Sequence, residues 1–349
     1  MTDELFVLTL AACFGALLVW AFKTLPQERW QILASVPVSK EGPDNWTGVN
    51  LTYYGVFIAL ATVIAVSMIF VLLAAVSVSA KTIFIMVGLL FCLCFPAAKM
   101  VARAVENKPQ TLTIGGASFL GFLASPGIVW VIGADSGLGG THVPVLPALA
   151  SMVIAYALGE GLGRLACISF GCCYGKPLAQ CHPWLRRVMG RHVFVFSGKV
   201  KKIAYERGLD GEGVVPIQAI TSVLYVTVAL AGVLLYLKSC YSEAFIVTLT
   251  VTQSWRAASE FLRADYRGSG KLSAYQIMAV MAIAYGFLVL AVFSGESLPV
   301  ANLQAGIVAL WDPAVLIFIQ LVGLATFFFT GRSMVTASSM SFHVVKERI

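Results

Sequence analysis

The 349-residue chain is 59% hydrophobic and only 12% charged, with a mean hydropathy of +0.86. That excludes an ordinary soluble domain, in which about 25% of residues carry charge. The net charge of +7 follows basic residues that hug apolar segments, so anionic lipid is the expected partner and nucleic acid is not.

Only structures that satisfy their own backbone groups persist in lipid, so the chain reads as an all-α membrane protein, a polytopic helical bundle. A span needs about 20 residues, and nine apolar segments qualify: 5–22, 52–78, 82–98, 113–133, 145–162, 216–237, 243–259, 274–293 and 305–330. The first, LFVLTLAACFGALLVWAF, follows Thr2, Asp3 and Glu4 without a basic n-region, which predicts a retained helix rather than a cleaved signal peptide. Residues 1–349 form a single transmembrane domain, with a polar head at about 175–215 between its helices. Of the 24 Lys and Arg, all but Lys81 and Lys238 fall on one side of the membrane. The positive-inside rule makes that side cytoplasmic, yet a site for an anionic headgroup would draw arginines to it as well.

Ionisable groups within or at the edge of a span mark candidate sites. Arg256, Glu260 and Arg263 stand at i, i+4 and i+7, one helical face. Glu260 can pair with either arginine and leave the other for an anion; a purely structural ladder is the plainer alternative. Arg164 ends the fifth span behind Gly159, Gly161 and Gly163. Its guanidinium can form two parallel hydrogen bonds to a phosphate. Gly115 and Gly116, near a helix start, could offer backbone N–H groups to an anion. Tyr53 and Tyr54 lie at a membrane boundary, and Gln218 and Gln276 supply buried amides. Cys167, Cys172, Cys173 and Cys181 precede His182 but match no paired CxxC pattern. Adjacent cysteines are uncommon in tetrahedral sites, so neither metal nor cofactor is expected. No GxxxxGK[ST] loop, GxSxG elbow or HExxH helix is present.

Taken in order, Tyr54 and Gly55, Gly115 and Gly116, the segment GRLACISFGCCYG at 163–175, Pro216 and Gln218, the Arg256, Glu260, Arg263 triplet and Gln276 resemble the bacterial prolipoprotein diacylglyceryl transferase family. The resemblance covers about 53–276 and implies about seven core helices, with one extra helix at each end. It implies an inner-membrane enzyme that moves the diacylglyceryl group of phosphatidylglycerol to the signal cysteine of a prolipoprotein and releases glycerol phosphate. Arg164, Arg256 and Glu260 would then be catalytic, with Tyr54, Gly115, Gly116, Gly171, Gly175, Gln218, Arg263 and Gln276 binding substrate. Three departures stand beside the matches. Ile114 replaces a histidine before the glycine pair; Cys167, Phe170 and Cys172 replace asparagines and a glutamate; and Val215 to Gln218 reads VPIQ. The resemblance therefore leaves open a different acceptor, or a lipid-binding protein without catalysis. It also places the arginines toward the outer face, against the positive-inside count.

Overall fold

The computed structural model describes residues 2–106, 113–133, 143–264, 272–295 and 298–349; Lys108, Arg267 and Lys271, counted above on the basic side, lie outside them. Helix α1 (Asp3–Thr24) starts where the Thr2 hydroxyl accepts from the Leu5 amide. A β-hairpin follows, β1 (Ile32–Lys40) and β2 (Asn45–Thr52), and then α2 (Tyr53–Ala75), α3 (Ala80–Glu106), α4 (Ile114–Gly133) and α5 (Val145–Phe170). The head carries α6 (Pro183–Met189), β3 (Phe194–Val195), α7 (Lys202–Arg207) and β4 (Gly213–Val214). The bundle then closes with α8 (Ile217–Leu237), α9 (Tyr241–Ser259), α10 (Ala274–Phe293), α11 (Leu303–Leu310), α12 (Pro313–Thr330) and a final strand, β5 (Arg332–Ser341).

Eight of these helices are long and apolar enough to cross a membrane, which makes the chain a multi-pass membrane protein. The ninth long helix, α9, expected as a span over 243–259, is not among the eight, because it is more polar and carries Arg256. Helix α5 is the axis of the bundle, packed against α2, α8 and α9 and buried almost throughout. Its small residues make that possible. A side chain at Gly159 would press on Ala65 of α2 at 3.1 Å, and one at Gly161 on Tyr225 of α8 at 3.0 Å. The Ser222 hydroxyl of α8 donates to the Gly161 carbonyl at 2.6 Å. Small-residue contacts of this kind replace the hydrophobic drive that helices lack in lipid. At the end of the bundle opposite the head, Lys238 lies 2.5 Å from Glu4 and 3.7 Å from Asp3, so the start of α1 meets the α8–α9 junction there.

Two further features differ from the sequence reading. The segment 305–330 is not one helix. Asp312 accepts from the Ala314 and Val315 amides and Pro313 takes the first helical position, so a new helix starts inside the apolar run. Helix α11 rests on the far end of α2, where the Asn302 amide donates to the Ala75 carbonyl at 2.8 Å, while α12 packs along α2. The second difference is a three-stranded antiparallel sheet, ordered β1-β2-β5, at the head end of the bundle. Across it, the Ser35 hydroxyl donates to Asn50 at 2.7 Å, and Ser338 donates to Asn50 as well.

Candidate active site

The site grows from one face of α5. Tyr156, Glu160 and Arg164 are spaced four residues apart and point the same way. Arg164 donates to Glu160 Oε1, and Arg256 of α9 brings its Nη1 to 4.0 Å from the same oxygen and 3.4 Å from the Tyr156 hydroxyl. Arg256 also stands over the Tyr275 ring of α10, with Cζ 5.8 Å from its centroid. All three charged side chains are withdrawn: Glu160 is 1% exposed, Arg256 11% and Arg164 12%. One carboxylate between two guanidiniums leaves net positive charge in a nearly dry place. Two buried polar atoms in it, Arg164 Nε and Glu160 Oε2, have no hydrogen-bond partner among the described residues.

Beside this cluster lies a cavity of about 320 Å³ between α2, α3, α4 and α5. Its lining runs along α5 from Gly163 and Glu160 to Met152, a distance of about 17 Å at the helical rise per residue. The walls are apolar in effect, because the hydroxyls of Thr62, Ser118 and Ser125 donate to carbonyls of their own helices. The cavity is thus a greasy shaft with Tyr156 and the Glu160 carboxylate in its wall, and Glu160 is the group that Arg164 and Arg256 flank.

The motif loop after α5 is held by its backbone. The Cys172 amide donates to the Cys167 carbonyl at 3.0 Å and the Gly171 amide to Ile168 at 3.3 Å, with Gly171 at φ +71°. This is a Schellman turn, which needs a left-handed residue there. Lys201, wholly buried, donates to the Ser169 carbonyl at 2.6 Å and the Leu25 carbonyl at 3.2 Å, covering an orphan acceptor at the helix end. Burial pushes its ammonium down to about 8, against the opposing pull of Glu28 and then Cys172. Further along, the Lys176 amide donates to Leu262 at 2.9 Å and the Ala264 amide to Tyr174 at 3.1 Å, which stitches the loop to the chain after α9.

Of the residues singled out from sequence, Arg164, Arg256 and Gly115 meet here. Gly115 is where Arg256 lies down: a Cβ would overlap its Nη2. Gly116 faces Val101 of α3 instead. The expected single face of Arg256, Glu260 and Arg263 is not kept. Helix α9 ends at Ser259, a 3₁₀ turn spans Glu260–Leu262, and Arg263 is extended with its Nε 4.0 Å from Glu260. The carboxylate paired with Arg256 is Glu160, from another helix. Gly175 bridges to Arg263 and abuts the Val215 carbonyl. Gln218 donates to the Cys172 carbonyl at 2.9 Å. Gln276 completes the capping box of α10 and donates to Ala257 at 3.1 Å. These last two amides hold the backbone around the site. Tyr54 stacks edge-on against Phe170 at 5.7 Å. Glu160 and Tyr156 were missed as site residues, although their four-residue spacing to Arg164 was there to be read.

The fold defines a polytopic α-helical membrane protein, and two arginines around one carboxylate leave net positive charge buried inside its bundle. The family model for prolipoprotein diacylglyceryl transferase matches residues 45–292, and the chain belongs to that family. Membership implies a membrane transferase of lipoprotein biosynthesis. No curated protein matches the chain.

Proposed function

We propose that the protein transfers the diacylglyceryl group of phosphatidylglycerol to a thiol acceptor, the signal cysteine of a prolipoprotein, at the outer face of a bacterial inner membrane. The observation that carries this is the apolar cavity with Glu160 in its wall, a carboxylate flanked by the buried arginines Arg164 and Arg256. An acyl chain enters the shaft, and the phosphodiester meets the arginines. The unpartnered Arg164 Nε can donate to a phosphate oxygen, and the unpartnered Glu160 Oε2 can accept from a glycerol hydroxyl of the headgroup. The acceptor sulfur attacks the lipid's glycerol carbon, the carbon–oxygen bond breaks with its electron pair on phosphate, and glycerol phosphate departs. Charge grows on that phosphate, where fixed guanidiniums stabilise it most.

A second reading keeps the donor and changes the acceptor. It is favoured by Ile114, which lines the cavity where the family commonly has a histidine. Purified protein incubated with phosphatidylglycerol and a signal-peptide thiol tests both. Glycerol phosphate released with lipidated peptide supports the first reading; release with another thiol or alcohol only supports the second; no release with any acceptor leaves a lipid-binding protein. Arg256→Ala is expected to abolish release, and a fully active Arg256→Ala protein would remove the basis of the proposal.

A further inference from the structure

Three thiols stand next to the arginine cluster, and the role above leaves them unused. The Sγ atoms of Cys167, Cys172 and Cys173 all lie within 4.8 Å of one another. Sequence spacing argued against a shared ligand, because the cysteines form no paired CxxC pattern and adjacent cysteines are uncommon in tetrahedral sites. The fold removes that objection. In a Schellman turn the side chains at the positions of Cys167 and Cys172 are brought into contact. Cys173 then sits at φ +55°, a left-handed conformation that turns its thiol back toward the other two. Cysteine gains nothing from such a conformation by itself, so the geometry must be supported from outside. It is: Gln218 holds the Cys172 carbonyl, and Lys201 packs its Cβ 3.1 Å from where a side chain on Gly171 would stand.

We propose that these three cysteines bind a zinc ion as thiolates and leave its fourth position open to the acceptor thiol. Three sulfur ligands with no histidine or carboxylate among them select a soft metal over magnesium or calcium. Three protein ligands and one open position are the pattern of a catalytic rather than a structural zinc. Three thiolates around a divalent cation carry one net negative charge, and Arg164 and Arg263 lie within electrostatic reach of the cluster. The inference rests on the transferase reading and addresses what that reading lacks, a group to deprotonate the acceptor in place of the histidine missing at Ile114. A thiol bound to zinc is deprotonated outright and remains a nucleophile. Its proton passes to water, its sulfur forms the new bond to the lipid carbon, and the carbon–oxygen bond to phosphate breaks as described above. No oxidant or reductant is needed.

The test uses the full-length protein in detergent. Purified wild type is expected to hold about one zinc per chain by elemental analysis. Cobalt exchanged into it should give intense sulfur-to-metal charge-transfer bands, which shift when N-acetylcysteine amide is added. Cys173→Ser and the Cys167→Ser, Cys172→Ser, Cys173→Ser triple variant should lose the metal, while Cys240→Ser keeps it. If a variant fails to fold, the wild-type metal content and cobalt spectrum still decide. Wild type purified from zinc-supplied cells without metal, and without cobalt bands on titration, overturns the proposal, as does a disulfide between any two of the three. Metal-free protein that still releases glycerol phosphate refutes the zinc site alone. Protein that binds zinc and the thiol probe but never releases glycerol phosphate refutes the transferase reading alone.

Discussion

Replacing Gly115 by alanine separates two accounts of the glycine pair. Read as an anion cradle, Gly115 serves through its N–H, which alanine retains, so the variant would behave as wild type. In the structure Gly115 instead leaves room for Arg256. A Cβ there would overlap Nη2 and come within 2.9 Å of Cζ and 2.8 Å of the Tyr275 ring. Carbon contacts settle near 3.5–4.0 Å, so the guanidinium must retreat by at least roughly 1 Å. It is tied to Glu160 and Tyr156 and cannot do so without loosening both. Overpacking of this kind costs about 1–3 kcal/mol of stability, while a 1 Å displacement of a charge-stabilising group costs turnover on the order of 100-fold. Glycerol phosphate release from phosphatidylglycerol micelles measures the second effect and thermal unfolding in detergent the first. Gly116→Ala is the control. Its Cβ would crowd the Val101 methyls at 2.6 and 2.7 Å, so it should lower stability with a smaller effect on rate per folded molecule. A Gly115→Ala protein that turns over at the wild-type rate would refute the placement of Arg256 in the site.

Glu160→Gln removes the carboxylate that pairs with both Arg164 and Arg256 and leaves two buried cations facing each other; a loss of about 3 kcal/mol is expected in unfolding assays. Lys201, held at about 8 when folded, binds fewer protons than the unfolded chain between pH 8 and its ordinary value of 10.5. Stability should therefore rise with pH across that window, by on the order of 3 kcal/mol in total, and the slope should vanish in Lys201→Met if that variant folds. For membrane orientation, Cys181 is too buried to label, so Lys199→Cys, at an exposed position in the head, is the better probe. Reaction with an impermeant maleimide in intact cells is expected, and protection until lysis would place the site on the cytoplasmic side.

The helices were largely legible because each carries its own apolar run, and the Arg164 and Arg256 positions because charge in such a run needs a reason. The pairing of Arg256 was not. Glu260, four residues away, was the obvious local partner, whereas the true one lies 96 residues earlier on a helix that only tertiary packing brings alongside. The break at Asp312-Pro313 did have a local signal, a capping acid before a proline, but hydropathy averaged over the segment hid it. The sheet had little to offer a reader. Strand β5 pairs with β2 across more than 280 residues, and its alternation is of serines, threonine and methionines rather than of core and solvent residues. The cysteine cluster was visible as composition but not as a site, because the turn that gathers it depends on Gly171 and on the left-handed backbone at Cys173.

The sheet also sets an order of assembly. Strand β2 is central, yet one of its two neighbours is synthesised only after every helix of the bundle. Until residues 332–341 leave the ribosome, the β1–β2 hairpin waits with a bare row of hydrogen-bonding groups, the kind of edge that recruits strands from other chains. Ribosome stalling or proteolysis before Arg332 would yield a membrane-inserted bundle that still presents this edge. The pairing of β5 thus closes an edge of β2 only after the helices between them have been made.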